Sequence, residues 1–176
     1  MGIPEYFEFQ WRTKIIFSPG AIQEVGKEAK RLGGTKAFIV TDETIEKQGF
    51  VEKLKLSLKD AGIEVGAVFN KVPQDSDIKI CKEGEDLAKS LGTDITIAIG
   101  GGSVLDTSKG INILLTEGGD LLEDHQGTYL LQRPLKPLIA IPTTAGTGSE
   151  VTFAAVIKDR EQNLKISFIS PYLAPD

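Results

Sequence analysis

The chain has 176 residues, with 20 Lys and Arg against 25 Asp and Glu, a formal net charge of −5. Hydrophobic residues make up 40% and charged residues 26%, which suits one well-cored domain and argues against both a disordered chain and two large domains. The acidic balance and the lack of a basic stripe argue against nucleic acid as a partner, since DNA binding requires many phosphates to be neutralised, and no apolar run reaches the roughly 18 residues of a membrane span. The N-terminus, Met1 to Arg12, carries Glu5 and Glu8 among aromatics and lacks the basic start and apolar core of a signal peptide. A single cysteine, Cys81, rules out an internal disulfide and fits a reducing cytoplasm, where the protein is expected to reside.

Ser18-Pro19-Gly20 leads a periodic stretch from about Ala21 to Leu32, closed by Gly33-Gly34, which predicts a helix. Ala37-Phe38-Ile39-Val40 predicts a buried strand. Asp42 follows it and has two readings. It caps a short helix starting at Glu43, or it bonds the ribose hydroxyls of a dinucleotide and repels a 2′-phosphate. A second helix is predicted from about Phe50 to Ala61, with Val51, Leu54 and Leu58 on one face and Gly62 as its stop. Val65 to Phe69 predicts the next strand. Asp75-Ser76-Asp77 then leads a helix from about Ile78 to Leu91, closed by Gly92. Within it Cys81 reads as a small buried hydrophobe.

Ile95 to Ile99 predicts a third strand that runs into Gly100-Gly101-Gly102-Ser103 and then a helix ending at Gly118-Gly119. Leu121 to Lys136 reads as a loop or short helix. It contains His125, the only histidine, taken as a loop residue because a histidine-built metal site needs more of them. Leu138 to Ile141 predicts a fourth strand. Val151 to Ile157 and Leu164 to Ile169 predict two strands around the polar turn Lys158 to Asn163, an antiparallel hairpin expected on the edge of the sheet. The chain stops at Pro175-Asp176 without a closing element, as a cut inside a longer protein would. Buried strands separated by single helices call for a parallel sheet with right-handed crossovers. The fold class expected is α/β, a Rossmann-like parallel sheet with flanking helices plus a C-terminal β-hairpin.

Two loops carry the chemistry. In the first, three glycines let backbone N–H groups approach an anion, and the helix N-terminus behind them favours a phosphate. Its plain alternative is a tight strand-to-helix turn, and neither a G-x-G-x-x-G fingerprint nor a Walker A sequence is present. Ser103 with Asp106 three residues on has the spacing of a capping box; Asp106 can instead face a ligand. In the second, Thr143-Thr144-Ala145-Gly146-Thr147-Gly148-Ser149 places four hydroxyls and two glycines within seven residues. Such a loop suits a polar ligand at the C-terminal ends of parallel strands, or is an ordinary polar turn.

Gly100 through Lys109, followed by Ile141 through Thr152, strongly resembles the iron-containing (group III) alcohol dehydrogenases. The match extends upstream to Phe17-Ser18-Pro19-Gly20 and Val40-Thr41-Asp42, and downstream to Lys165 and Ser170 through Asp176. The resemblance implies an N-terminal α/β domain of the dehydroquinate synthase-like kind, also found in glycerol dehydrogenase, and a C-terminal helical domain, with the cofactor between them. On this basis residues 1–176 are one dinucleotide-binding domain, and the helical metal-binding domain is absent from this chain, either cut off or naturally lacking.

The resemblance also implies roles. Asp42 is the adenosine-ribose contact and NAD selector, with Asn70 near the adenosine end. Gly101, Gly102 and Ser103 cradle the pyrophosphate, and Thr143, Thr144 and Thr147 contact the cofactor along the second loop. Asp106 lies near the nicotinamide ribose, Ser149 and Val151 lie beside the nicotinamide, and Lys165 contacts a cofactor ribose. The family's divalent metal, Fe or Zn, is held by an aspartate and three histidines of the helical domain, so no metal ligand and no catalytic residue is assigned here. The implied function is hydride transfer between an alcohol or aldehyde and NAD, metal-assisted in the full-length enzyme, with the fragment alone inactive. The uncovered face is expected to be apolar, which leaves a homo-oligomer open. The rivals are a stand-alone nucleotide-binding module without catalysis, a glycerol dehydrogenase or dehydroquinate synthase-like relative, and a fragment without any ligand.

Overall fold

The computed structural model describes residues 12–176; the stretch read as lacking a signal peptide lies almost wholly outside them. Four parallel strands form the main sheet: β1 (Lys36–Val40), β2 (Glu64–Phe69), β3 (Ile95–Gly100) and β5 (Leu138–Pro142), in the spatial order β2-β1-β3-β5. All of β3 is buried, and so is β1 from Ala37 onward, which is why both read as unbroken apolar runs rather than alternating ones.

Alternate side chains of these strands feed two cores. Ala37, Ile39, Ile95, Ile97 and Ile99 pack with Val25 and Ala29 of α1 (Val25–Arg31) and with Val51, Leu54 and Leu58 of α3 (Phe50–Asp60). On the other face Phe38, Val40 and Ala98 join Cys81 and Ala88 of α4 (Ile78–Ser90) and the apolar side of α5 (Gly102–Glu117). Burial holds the Cys81 thiol well above its ordinary range, so it is an inert hydrophobe. Among the described residues no helix is long and apolar enough to cross a membrane.

The first predicted helix divides into a 3-10 turn, Ala21–Glu24, and α1. The short helix weighed at Glu43 forms as α2 (Glu43–Lys47). The hairpin forms too, but later than predicted in its first strand, as β6 (Ala154–Asp159) and β7 (Leu164–Ile169). Its placement differs from expectation: it does not join the edge of the parallel sheet. β7 pairs instead with β4 (Gly127–Thr128), giving a separate sheet ordered β4-β7-β6. The reason is packing. Ala155, Ile157, Ile166 and Phe168 point inward to the core beneath α5, so the hairpin covers a helix face rather than extending β5. The remainder of 121–136 is turns and loop, and His125 sits there with Nε2 2.8 Å from the Gly118 carbonyl at the end of α5.

Candidate functional site

The chain runs from β1 to β2 on one side and then crosses back to β3 on the other, so the strand order reverses between β1 and β3. At such a switch point the loops at the carboxyl ends of the two strands part and leave a crevice. Asp42 follows β1 and the three glycines follow β3, so both stand at that crevice. Asn70 follows β2 and the Thr143–Ser149 loop follows β5. The structure therefore brings Asn70, Asp42, Gly101–Ser103 and Thr143–Ser149 to one edge of the sheet, in that spatial order.

The three glycines answer different constraints. A Cβ on Gly100 would lie 2.5 Å from Val104 Cγ2, so this position is closed by packing within the turn. A Cβ on Gly101 would lie 3.1 Å from Thr144 Oγ1, and one on Gly102 would lie 3.1 Å from Thr147 Cγ2. Gly101 and Gly102 thus form one wall of a notch whose other wall is Thr144 and Thr147. A Thr143 N–H to Gly100 carbonyl bond of 2.9 Å joins the two loops at its base. The threonines are exposed and their hydroxyls are free to turn toward an anion.

The capping box does not form. Gly101, not Ser103, is the N-cap of α5, and no side chain caps it. Ser103 lies inside the first turn, so the first N–H groups of α5 remain available to an anion. Asp106 is one turn further on and accepts from elsewhere. Its Oδ1 accepts from the Ser149 hydroxyl and its Oδ2 from the Val156 N–H at 3.0 Å. It ties α5 to the segment after the threonine loop; Ser149 is buried and Asp106 half-buried.

Asp42 does cap. Its Oδ1 accepts from the Ile45 N–H at 2.9 Å, which uses one carboxylate oxygen and holds the group at the end of β1. Asn70 Nδ2 donates to Glu46 Oε2 at 2.6 Å, so Asn70 is tied to α2 beside Asp42. Val151, Thr143 and Thr144 line an open groove of about 650 Å3 with Ile139, Ile141 and Glu150. Lys165 stands apart: it lies on β7, its side chain is exposed, and its partner is Asp75 at 3.6 Å.

Two charged groups near the site carried no assignment from sequence. Glu150 Oε2 is buried without a hydrogen-bond partner among the described residues. Lys109 is 1% exposed, and its Nζ donates to the carbonyls of Thr152 at 2.9 Å and Ala154 at 2.7 Å. The signal available was its position three residues after Asp106, in a helix with no other charge before Glu117. Burial pushes the Lys109 pKa from its ordinary value of 10.5 down to about 8, against the pull of the Asp106 and Glu150 carboxylates. The sign of the consequence follows from proton linkage. Between pH 8 and 10.5 the unfolded chain holds the proton that the folded chain has lost, so stability gains with rising pH across that window. Unfolding free energy of the unmodified chain minus that of Lys109→Met should therefore increase from pH 8 to pH 10. A difference that stays flat over this range would contradict the burial argument. Among the described residues no group of three or more His, Cys, Asp or Glu side chains could hold a metal ion.

An open parallel sheet, with a glycine-lined notch between the loops after β3 and β5 and beside its switch point, defines a Rossmann-like α/β domain. The model of the family described as "Iron-containing alcohol dehydrogenase" matches residues 12–176, and the chain belongs to this family. It is 41% identical over 175 residues to a choline dehydrogenase of Bacillus subtilis (strain 168), covering 98% of this chain and 43% of that protein. It is 38% identical over 160 residues to an NAD-dependent methanol dehydrogenase of Bacillus methanolicus, covering 91% of this chain and 42% of that one. Among solved structures, a 1,3-propanediol oxidoreductase superposes with a TM-score of 0.91 at 37% identity, over 97% of this chain and 44% of the other. The chain thus spans less than half the length of these relatives.

Proposed function

We propose that this chain is the NAD-binding half of an alcohol dehydrogenase that moves a hydride between a small alcohol or aldehyde and NAD, assisted by a divalent metal held outside the described residues. The observation that carries this is the notch, whose glycine wall leaves room where a side chain would stand against Thr144 or Thr147. In this reading Asp42 and Asn70 take the adenosine end. Gly101, Gly102 and Ser103 present N–H groups to the pyrophosphate, and Thr143, Thr144 and Thr147 close on it from the other side. Asp106, Ser149 and Val151 stand toward the nicotinamide, and Lys165, whose exposed side chain pairs with Asp75, would leave that partner to reach a ribose hydroxyl. The order Asn70, Asp42, glycine turn, threonine loop along the sheet edge suits a ligand laid out lengthwise. Bound NAD supplies the hydride acceptor, and the protein's part is to bind and orient it. The divalent metal of this reading would polarise the alcohol oxygen, and iron and zinc fit it equally well.

The experiment separates binding from turnover. Calorimetric titration of the 176-residue chain should show weak NAD binding. NADH production with short-chain alcohols and added Fe²⁺ or Zn²⁺ should stay at background, because the nicotinamide faces open water without a second wall. Metal-dependent turnover by this chain alone would overturn the division of labour, and a lack of NAD binding would overturn the proposal itself.

A further inference from the structure

Lys109 touches neither wall of the notch, yet a buried ammonium is costly unless its protons are met. All three of its acceptors lie on one short stretch: the Thr152 carbonyl at 2.9 Å, the Ala154 carbonyl at 2.7 Å and Thr152 Oγ1 at 3.4 Å. Asp106, one turn earlier on α5, holds the same stretch with opposite polarity, accepting from Ser149 and from the Val156 N–H. Two side chains from successive turns therefore pin residues 149, 152, 154 and 156. The helix that carries both begins at the glycine wall, and the pinned stretch continues directly from the threonine wall. The Val151 and Thr152 N–H groups bond back to the Gly148 carbonyl at 3.1 and 3.0 Å, which makes a stiff turn between the pins and the threonines. The two walls are thus referred to one rigid frame.

We propose that Lys109 is a positioning residue for the dinucleotide: through the Thr152 and Ala154 carbonyls it sets where the Thr143–Val151 loop stands relative to the glycine turn. The inference rests on the notch being the dinucleotide site. It differs from an ordinary packing role in what it predicts for binding, since only a ligand that reaches the pinned loop should weaken. Met fills similar space but leaves the Thr152 and Ala154 carbonyls without their donor, and an unmet buried acceptor is destabilising. Lys109→Met should therefore lower the unfolding temperature at pH 7 and loosen the loop.

The test is calorimetric titration of the 176-residue chain with NAD and with AMP. In the proposed layout AMP reaches from Asp42 to the first phosphate and stops short of the pinned end of the loop. Lys109→Met should bind AMP within twofold of the unmodified chain and NAD about tenfold more weakly, equivalent to about 1.4 kcal/mol. Lys109→Gln, whose amide N–H can still donate to a carbonyl, should fall between. The inference is overturned if Lys109→Met binds NAD within twofold of the unmodified chain, or if NAD and AMP weaken together. Should Lys109→Met fail to fold, Lys109→Gln is judged by the same NAD-to-AMP ratio. If the unmodified chain binds no NAD, or Gly101→Val binds it unchanged, the notch reading itself falls and takes this inference with it.

Discussion

Gly101→Val should abolish measurable NAD binding by this chain while leaving its unfolding temperature within a few degrees. The backbone at Gly101 is extended, φ −77° and ψ −176°, a region valine prefers, so no backbone strain opposes the substitution. Its side chain would start 3.1 Å from Thr144 Oγ1 and fill the notch with two methyl groups. A phosphate displaced from the turn loses its bonds to the first N–H groups of α5, each charge-assisted bond contributing about 1.5–3 kcal/mol. Losing two such bonds weakens binding by about a hundredfold or more. Calorimetry with NAD beside thermal unfolding of the same sample reads both halves of the expectation. Binding within threefold of the unmodified chain would place the pyrophosphate elsewhere.

Asp42→Gly should shift cofactor discrimination about tenfold or more toward NADP. The Ile45 N–H holds one oxygen of the Asp42 carboxylate at the carboxyl end of β1, which leaves the other to accept from a ribose hydroxyl. A 2′-phosphate brought there would meet a like charge, at a cost of several kcal/mol when water is excluded. Glycine is the informative substitution because it replaces an aspartate N-cap at a cost of only a few tenths of a kcal/mol, so α2 should persist. The measurement is the ratio of NAD to NADP dissociation constants in both chains. Equal affinity of the unmodified chain for the two cofactors would remove Asp42 from the selector role.

Much of this molecule was legible locally. The apolar runs at 37–40, 65–69, 95–99 and 138–141 became parallel strands, since a short apolar run rich in β-branched residues declares a strand by itself, whether fully buried as in β1 and β3 or half-buried as in β2 and β5. Asp77 caps α4, and the sequence Asp75-Ser76-Asp77 announced a helix start there. The glycine turn and threonine loop were recognisable because each is a continuous stretch of small residues behind a buried strand. Asp42 kept both its readings, since a capping carboxylate still has a second oxygen.

Other features depended on residues far along the chain. The Asp106 carboxylate was open between cap and ligand until the fold brought Ser149 and the Val156 N–H to it, partners 43 and 50 residues away. The spacing of Ser103 and Asp106 suggested a box that α5 does not use, because the helix starts two residues earlier than a Ser103 cap requires, at Gly102.

What the sequence by itself determined is the set of elements, their alternation and the two small-residue loops, for these follow from periodicity and side-chain size within a dozen residues. Only the tertiary structure decided where the hairpin went and what the buried charges do. Strand pairing and the solvation of Lys109 depend on which surfaces meet. β7 pairs with Gly127–Thr128, some 40 residues upstream and too short to announce itself. Lys109 is held by two backbone carbonyls, acceptors that every residue carries and that no sequence pattern singles out.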